Sequence, residues 1–160
     1  MSTDTSFITR SHEENWLPIL QLAVEEVFEI MLGSRVKPET LPEHEASGEF
    51  TAMIGLAGSL CGILTVRCDG KTAFQVAKCM LGDTAKSEEE VADALGEICN
   101  MIAGNFKNKL AGADERCMLS VPSVITGGEY SLHSLADGSS MEAIFLFEDA
   151  PVSVRLQLQS

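Results

Sequence analysis

Apolar residues recur along this chain at two spacings, and the change from one to the other divides it into elements. From Asn15 to Leu32 the set Leu17, Leu20, Val24, Val27, Phe28 and Met31 follows helical spacing, with Pro18 near the start and Gly33 as the stop. Residues 1–14 are polar and aperiodic and read as a flexible lead-in. After a polar connection over residues 34–47 with Pro38 and Pro42, Glu49 to Leu56 and Leu60 to Cys68 are extended runs joined by Ala57-Gly58-Ser59, a hairpin pattern. Asp69-Gly70 turns the chain, and Phe74, Ala77, Met80 and Leu81 predict a second helix over Lys71 to Leu81 that stops at Gly82. Ser87 with Glu90 three residues on is the capping-box spacing and opens a long third helix, Ser87 to Leu110. Beyond Gly112 the β-branched run Cys117 to Thr126 carries Pro122, which assigns its neighbourhood to an edge, a bulge or a strand end. Gly127-Gly128 is a turn, Tyr130 to Leu135 a short strand and Met141 to Glu148 a firmer one. Val152, Val154, Leu156 and Leu158 then alternate with Ser153, Arg155, Gln157 and Gln159 in a half-buried last strand.

The order α-β-β-α-α-β-β-β, with hairpin-linked strands and helices bunched between them, predicts an α+β fold. Its helices pack in one layer on a largely antiparallel sheet. Residues 15–160 make a single domain, a size that buries a sizeable core without staples. A helix followed by paired strands occurs on both sides of residue 82, the pattern of a weak internal two-fold symmetry.

On the long helix Val91, Leu95, Ile98, Ile102 and Phe106 fall in one stripe about 80° wide, which must face a core. Glu97, Asn100 and Gly104 lie within about 40° of Asp93, nearly opposite that stripe. An acid and an amide one turn apart, with Gly96 and Gly104 beside them, differ from the Glu and Lys rows of an ordinary solvated face. Each glycine costs about 1 kcal/mol relative to alanine in a helix interior, so a close approach by another backbone is one account of them. A solvent-facing helix with poor surface choices is the other, and spacing alone leaves both open.

Composition narrows the partners. With 11 basic and 24 acidic residues the chain carries a net charge of −13, which disfavours nucleic acid and anionic lipid and tolerates a basic partner. No apolar run reaches the length of a membrane span, and the start MSTDTSFITRSHEENW lacks a signal-peptide pattern, so a cytoplasmic protein is expected. Five cysteines without a C-x-x-C pair fit buried, reduced thiols.

Several fragments imitate known sites and fail on spacing. Gly55-Leu-Ala-Gly58-Ser-Leu-Cys-Gly62 joins two strands and offers no helix N-terminus to a phosphate. Gly70-Lys71-Thr72 has Thr65 where a phosphate-binding loop needs its first glycine. His12-Glu13 and His44-Glu45 lack the second histidine of a zinc-protease motif, and no acidic cluster has calcium-loop spacing. Without a G-x-S-x-G elbow, nucleophilic catalysis has no support.

The run Glu97-Ile98-Cys99-Asn100-Met101-Ile102-Ala103-Gly104-Asn105 resembles the signature of the CheX/CheC/FliY family of chemotaxis phosphatases. That pattern is Asp or Ser, three residues, Glu, two residues, Asn, about twenty-two residues, then Pro. Asp93, Glu97 and Asn100 match in type and spacing, and Pro122 follows Asn100 after 21 intervening residues, one short. The first helix ending in Val27-Phe28-Glu29-Ile30-Met31-Leu32-Gly33 and the hairpin also resemble the family, so the likeness covers residues 15–159. Members of the CheC type carry a second Glu-x-x-Asn on the first helix. Here Glu26 is followed three residues on by Glu29, and Glu29 by Leu32, which favours the single-site CheX type.

The resemblance implies a phosphatase without a covalent intermediate of its own, inserted into a phosphorylated CheY-type response regulator. The regulator would supply the aspartyl phosphate, a divalent cation (Mg) and a lysine, and this chain would bind no cofactor or metal. By the same carry-over Asn100 positions the attacking water and Glu97 pairs with the lysine. Gly104 and Gly96 let the regulator approach, and Asp93 either contacts the partner or solvates the helix. The resemblance also implies a homodimer, for which the alternating last strand offers an edge. A non-catalytic dimeric adaptor of the same fold in two-component signalling is the alternative, and the intact Glu-x-x-Asn pair argues against it.

Overall fold

The computed structural model describes residues 5–39, 49–58, 60–82, 87–110, 117–127 and 140–158, the side chains of residues 5–15 and 39 excepted. The elements are α1 (Thr5–Leu32), β1 (Lys37–Glu39), β2 (Phe50–Gly58), β3 (Gly62–Cys68), α2 (Gly70–Leu81), α3 (Glu88–Leu110), β4 (Cys117–Leu119), β5 (Ser123–Thr126), β6 (Ser140–Phe147) and β7 (Ala150–Leu158). The expected α+β, two-layer architecture is the one observed. The sheet runs β1-β6-β7-β3-β2-β4, with β5 also on β2, and every pair is antiparallel.

Two hairpins, β2–β3 and β6–β7, meet along β3 and β7 at the centre of the sheet. Each hairpin has its own helix, α3 lying on β2 and β3 and α1 on β6, so the two-fold pattern read from the sequence is present in the topology. The seam is close. A Cβ at Gly62 would run into the backbone of Gln157 on β7. Because β7 is paired on both sides, it is no free edge, and the expectation that it offers one for dimerisation is corrected. A strand whose alternation buries Val152, Val154, Leu156 and Leu158 is what the middle of a one-sided sheet requires.

Local chemistry accounts for most boundaries. Asp69 caps α2 by accepting the Thr72 N–H at 2.7 Å, and Gly82, at φ +74, ends it. Ser87 Oγ accepts the Glu90 N–H at 3.1 Å and donates to the Glu90 carboxylate at 3.1 Å. One half of the expected capping box is thus made, while the acid returns to the serine hydroxyl and not to its backbone. α1 begins at Thr5, ten residues before the expected start at Asn15. Pro18 therefore stands within the helix, where it removes one ladder bond. The three-residue β1, read as part of a polar connection, pairs with β6, and its Pro38 is tolerated because an edge strand has one unpaired side. The expected strand Tyr130 to Leu135 lies outside the described residues.

On the other flank, β2 pairs with β4 as Leu56 to Leu119 and with β5 as Met53 to Ser123. Between these points Ile54 and Gly55 face Ser120, Val121 and Pro122. One extra residue on the outer strand is a β-bulge, one of the three readings open for Pro122. Ser120 holds the bulge to the sheet: its N–H donates to Gly55 O at 2.9 Å, and its Oγ accepts the Gly55 N–H at 2.8 Å.

Candidate functional site on the outer face of the long helix

α3 carries acidic residues Glu88, Glu89 and Glu90 in its first turn and Lys107 and Lys109 in its last, each matched to the helix dipole. Its apolar stripe is buried as the spacing predicts, with Ile98, Ile102 and Phe106 fully enclosed. Trp16 of α1 meets Phe106 edge to face, ring centroids 6.5 Å apart. Burying that stripe turns the opposite side outward. Asp93 and Glu97 are exposed there, and Asn100 and Gly104 are half-buried.

Two asparagines on this helix have different fates. Asn105 Nδ2 donates to Ala23 O at 3.2 Å and to Glu26 Oε2 at 2.9 Å, tying α3 to α1. No side-chain hydrogen bond or ion pair ties Asp93, Glu97 or Asn100 to another described residue. A half-buried amide with no partner among the described residues, one turn from a carboxylate likewise without one there, offers donor and acceptor to another molecule.

The two glycines also separate. A Cβ at Gly104 would meet nothing within 4 Å, so the space beside Asn100 is open. Gly96 is buried, and a Cβ there would lie 3.3 Å from Val124 Cγ2 and 3.8 Å from Pro122 Cβ and Cγ. The chain's own bulge occupies the space that Gly96 leaves, in place of the partner approach expected at this position. Pro122 is thereby brought against α3 one turn before Asn100, a contact that sequence separation hid. The pairing of a costly glycine with an off-pattern proline was its only signal.

On the first helix no amide stands three residues after Glu26 or Glu29. Glu26, at the start of its Glu-x-x-Glu, accepts from Lys109 Nζ at 2.9 Å (Oε1) and lies 2.8 Å from it through Oε2. The Lys109 hydrogen bond, and after it the one from Asn105, hold the Glu26 carboxyl below the usual carboxylate range. Glu29 is exposed. Elsewhere, burial pushes the Cys68 and Cys99 thiols up to about 12, so neither is a nucleophile near neutral pH.

Two open clefts flank the fold. One of about 530 Å³ lies between the start of α2 and the β6–β7 turn, the other of about 490 Å³ between α2, the start of α3 and the end of β5. Neither is lined by Glu97 or Asn100. The candidate site is the outer side of a helix, a surface that suits a macromolecular partner better than a small ligand. No helix among the described residues is long and apolar enough to cross a membrane.

Residues 50–146, which contain this face and the bulge, match the family model described as chemotaxis phosphatase CheX. The chain belongs to that family. A curated CheX relative, the CheY-P phosphatase CheX of Thermotoga maritima, is 28% identical over 100 residues, covering 61% of this chain and 64% of its own length, a little under two thirds. The crystal structure of chemotaxis protein CheX from Desulfovibrio desulfuricans shares the fold at a TM-score of 0.79 and 24% identity, covering 91% of this chain and 99% of that one. The structure of a CheX-CheY-BeF3-Mg²⁺ complex from Borrelia burgdorferi matches at a TM-score of 0.74 and 25% identity, covering 91% and 98%.

The Glu26 cluster generates a pH prediction. A carboxyl whose folded-state pKa lies below its usual value of 4.5 contributes stability that is present above that pH and lost as the pH falls through the folded value. Replacing Glu26 by Gln should therefore lower stability at pH 7 and flatten its loss between about pH 5 and pH 3. Urea midpoints measured across that range test this, and parallel curves for parent and variant would contradict it.

Proposed function

We propose that this CheX-family chain accelerates hydrolysis of the aspartyl phosphate on a CheY-type response regulator. Asn100 holds the attacking water and Glu97 pairs with a lysine of the regulator. The observation that carries the reading is the half-buried Asn100 amide beside the exposed Glu97, neither with a side-chain partner among the described residues, with open space at Gly104. A CheY phosphatase among the curated relatives and a CheX bound to CheY among the solved ones support the choice of partner. Mg²⁺ belongs to that complex, and in this proposal a divalent cation sits in the regulator's site.

The chemistry asks little of the protein. An aspartyl phosphate needs a water placed in line with phosphorus and its charge held, so positioning is a sufficient catalytic act. An amide can accept from the water and donate to a phosphoryl oxygen, and it brings no negative charge against the phosphoryl group. A carboxylate in its place would repel. Glu97 is suited to the other task, because an exposed acid without a partner gains a charge-assisted bond to an ammonium on docking. Glu89 and Asp93, both exposed and two turns and one turn before Glu97 respectively, extend the acidic row toward a basic rim on the partner and speed encounter.

Asn100→Ala should reduce accelerated phosphate loss from a phosphorylated receiver about a hundredfold, to the receiver's unaided rate, while the fold is kept. Phosphate release with circular dichroism on the same sample measures both. A variant as fast as the parent would return the chain to the adaptor reading. Glu97→Lys places like charges face to face. It should abolish complex formation in a titration at low salt, and unchanged binding would remove the ion pair from the proposal.

Gly104→Ala separates docking from folding. Alanine is favoured in a helix by about 1 kcal/mol and meets no atom of this chain within 4 Å, so the unfolding midpoint should rise while affinity for the receiver falls. A variant that is more stable and binds equally well would show that the open space is not used.

A further inference from the structure

We propose that the bulge formed by Ser120, Val121 and Pro122 is a positioning device for Asn100, acting through its seat on Gly96. The inference rests on the functional reading of Glu97 and Asn100 above. Nothing on the outer edge strand touches reacting groups in this proposal. Its effect is on where α3 stands.

The bulge is held at both ends. At the sheet, Ser120 makes two hydrogen bonds to Gly55, 2.9 Å from its N–H and 2.8 Å to its Oγ, and a Cβ at Gly55 would lie 3.4 Å from that Oγ. At the helix, Pro122 and Val124 close over Gly96, where an added methyl would stand 3.3 Å from Val124 Cγ2. Two glycines thus admit one loop at close range, one on β2 and one on α3. The extra residue between Leu119 and Ser123 lets the strand reach from the sheet edge to the helix without giving up its pairing with β2 on either side. Proline fixes φ in the middle of that reach.

Gly96 is four residues before Asn100, hence its neighbour one turn along the same side of the helix. On the inner side α3 is packed against β2 and β3, and at its far end Asn105 and Lys109 bind it to α1. The seat at Gly96 is a lateral contact one turn from the amide. Since the loop is clamped to Gly55, a methyl at Gly96 displaces the helix more readily than the loop. A shift of a few tenths of an ångström there is felt at Asn100, and water placement in line with phosphorus is intolerant of such shifts.

The test is steady-state dephosphorylation of a phosphorylated receiver by the parent, Gly96→Ala, Gly96→Ala with Val124→Ala, and Pro122→Ala, with urea midpoints for each. Gly96→Ala should lower kcat about tenfold with KM within about twofold of the parent, because an exposed Glu97 side chain can follow a shift of a few tenths of an ångström to its lysine and the space at Gly104 is kept, whereas in-line water placement cannot follow it. Val124→Ala removes the 3.3 Å contact and should restore kcat in the double variant despite the smaller side chain. A purely structural role would give the opposite order, with the double variant less stable and no more active. Should Gly96→Ala not fold, Pro122→Ala opens the seat from the other side and is read in the same way. With an active parent and an inactive Asn100→Ala, parental kcat in Gly96→Ala, or no recovery in the double variant, overturns the positioning role alone. An inactive parent overturns the functional reading and this inference with it.

Discussion

The burial of one stripe on α3 organises the molecule. Val91, Leu95, Ile98, Ile102 and Phe106 are each at most 4% exposed, and burying such side chains contributes about 1.5–3 kcal/mol apiece at the upper bound. Against this, Gly96 and Gly104 together cost about 2 kcal/mol of helix propensity. Packing outweighs propensity several-fold, so the helix tolerates two poor helix formers on its remaining faces. The stripe also settles orientation, because a helix that buries those five positions presents Glu97 and Asn100 to the outside.

Around that fixed helix, residues of one type divide between structure and availability. Asn105 is consumed by Ala23 and Glu26, and Asn100 has no side-chain partner among the described residues. Gly96 is filled by Pro122 and Val124, and Gly104 borders open space. Glu26 is drawn below its usual carboxylate range by Lys109 and Asn105, whereas Glu97 has no cation beside it among the described residues. In each pair the member that faces the sheet or α1 is satisfied internally, and the member on the outer face is not. For the proposed roles of Glu97 and Asn100 such an arrangement is preorganised, since neither has a side-chain bond to another described residue to break before binding.

Much of this was legible in order along the chain. The 3.6-residue period of α3, its Ser87 start, the hairpin and the alternation in β7 are local patterns, and local patterns predict the elements and which face of α3 looks outward. The family resemblance carried by Asp93, Glu97 and Asn100 is local as well, being eight residues of one helix. What sequence could not show depends on pairing. β1 is three residues long with a proline in it, too short for periodicity to register. The β6–β7 turn uses Glu148 and Asp149 at φ 49 and 65, a left-handed pair with no glycine to announce it. The position of β7 inside the sheet, and the one-residue slip that makes the bulge, exist only in the register between strands. The proline and the glycine were each conspicuous, but only the fold joins them.

The topological equivalence of the two halves sharpens the case for a single site. Each hairpin has a helix on it, and α1 and α3 are packed together over the sheet, so a second acting face on α1 would be geometrically reasonable. Its chemistry is absent for two separate reasons. The position three residues after Glu26 is Glu29, which supplies a charge where an amide is needed, and Glu26 itself is committed to Lys109 and Asn105. A docking lysine would have to displace an ammonium already 2.8 Å from the carboxylate, an exchange of like for like with little net gain. Commitment of Glu26 to α3 therefore serves the site that remains, because the same contacts anchor the far end of the helix on which Asn100 stands.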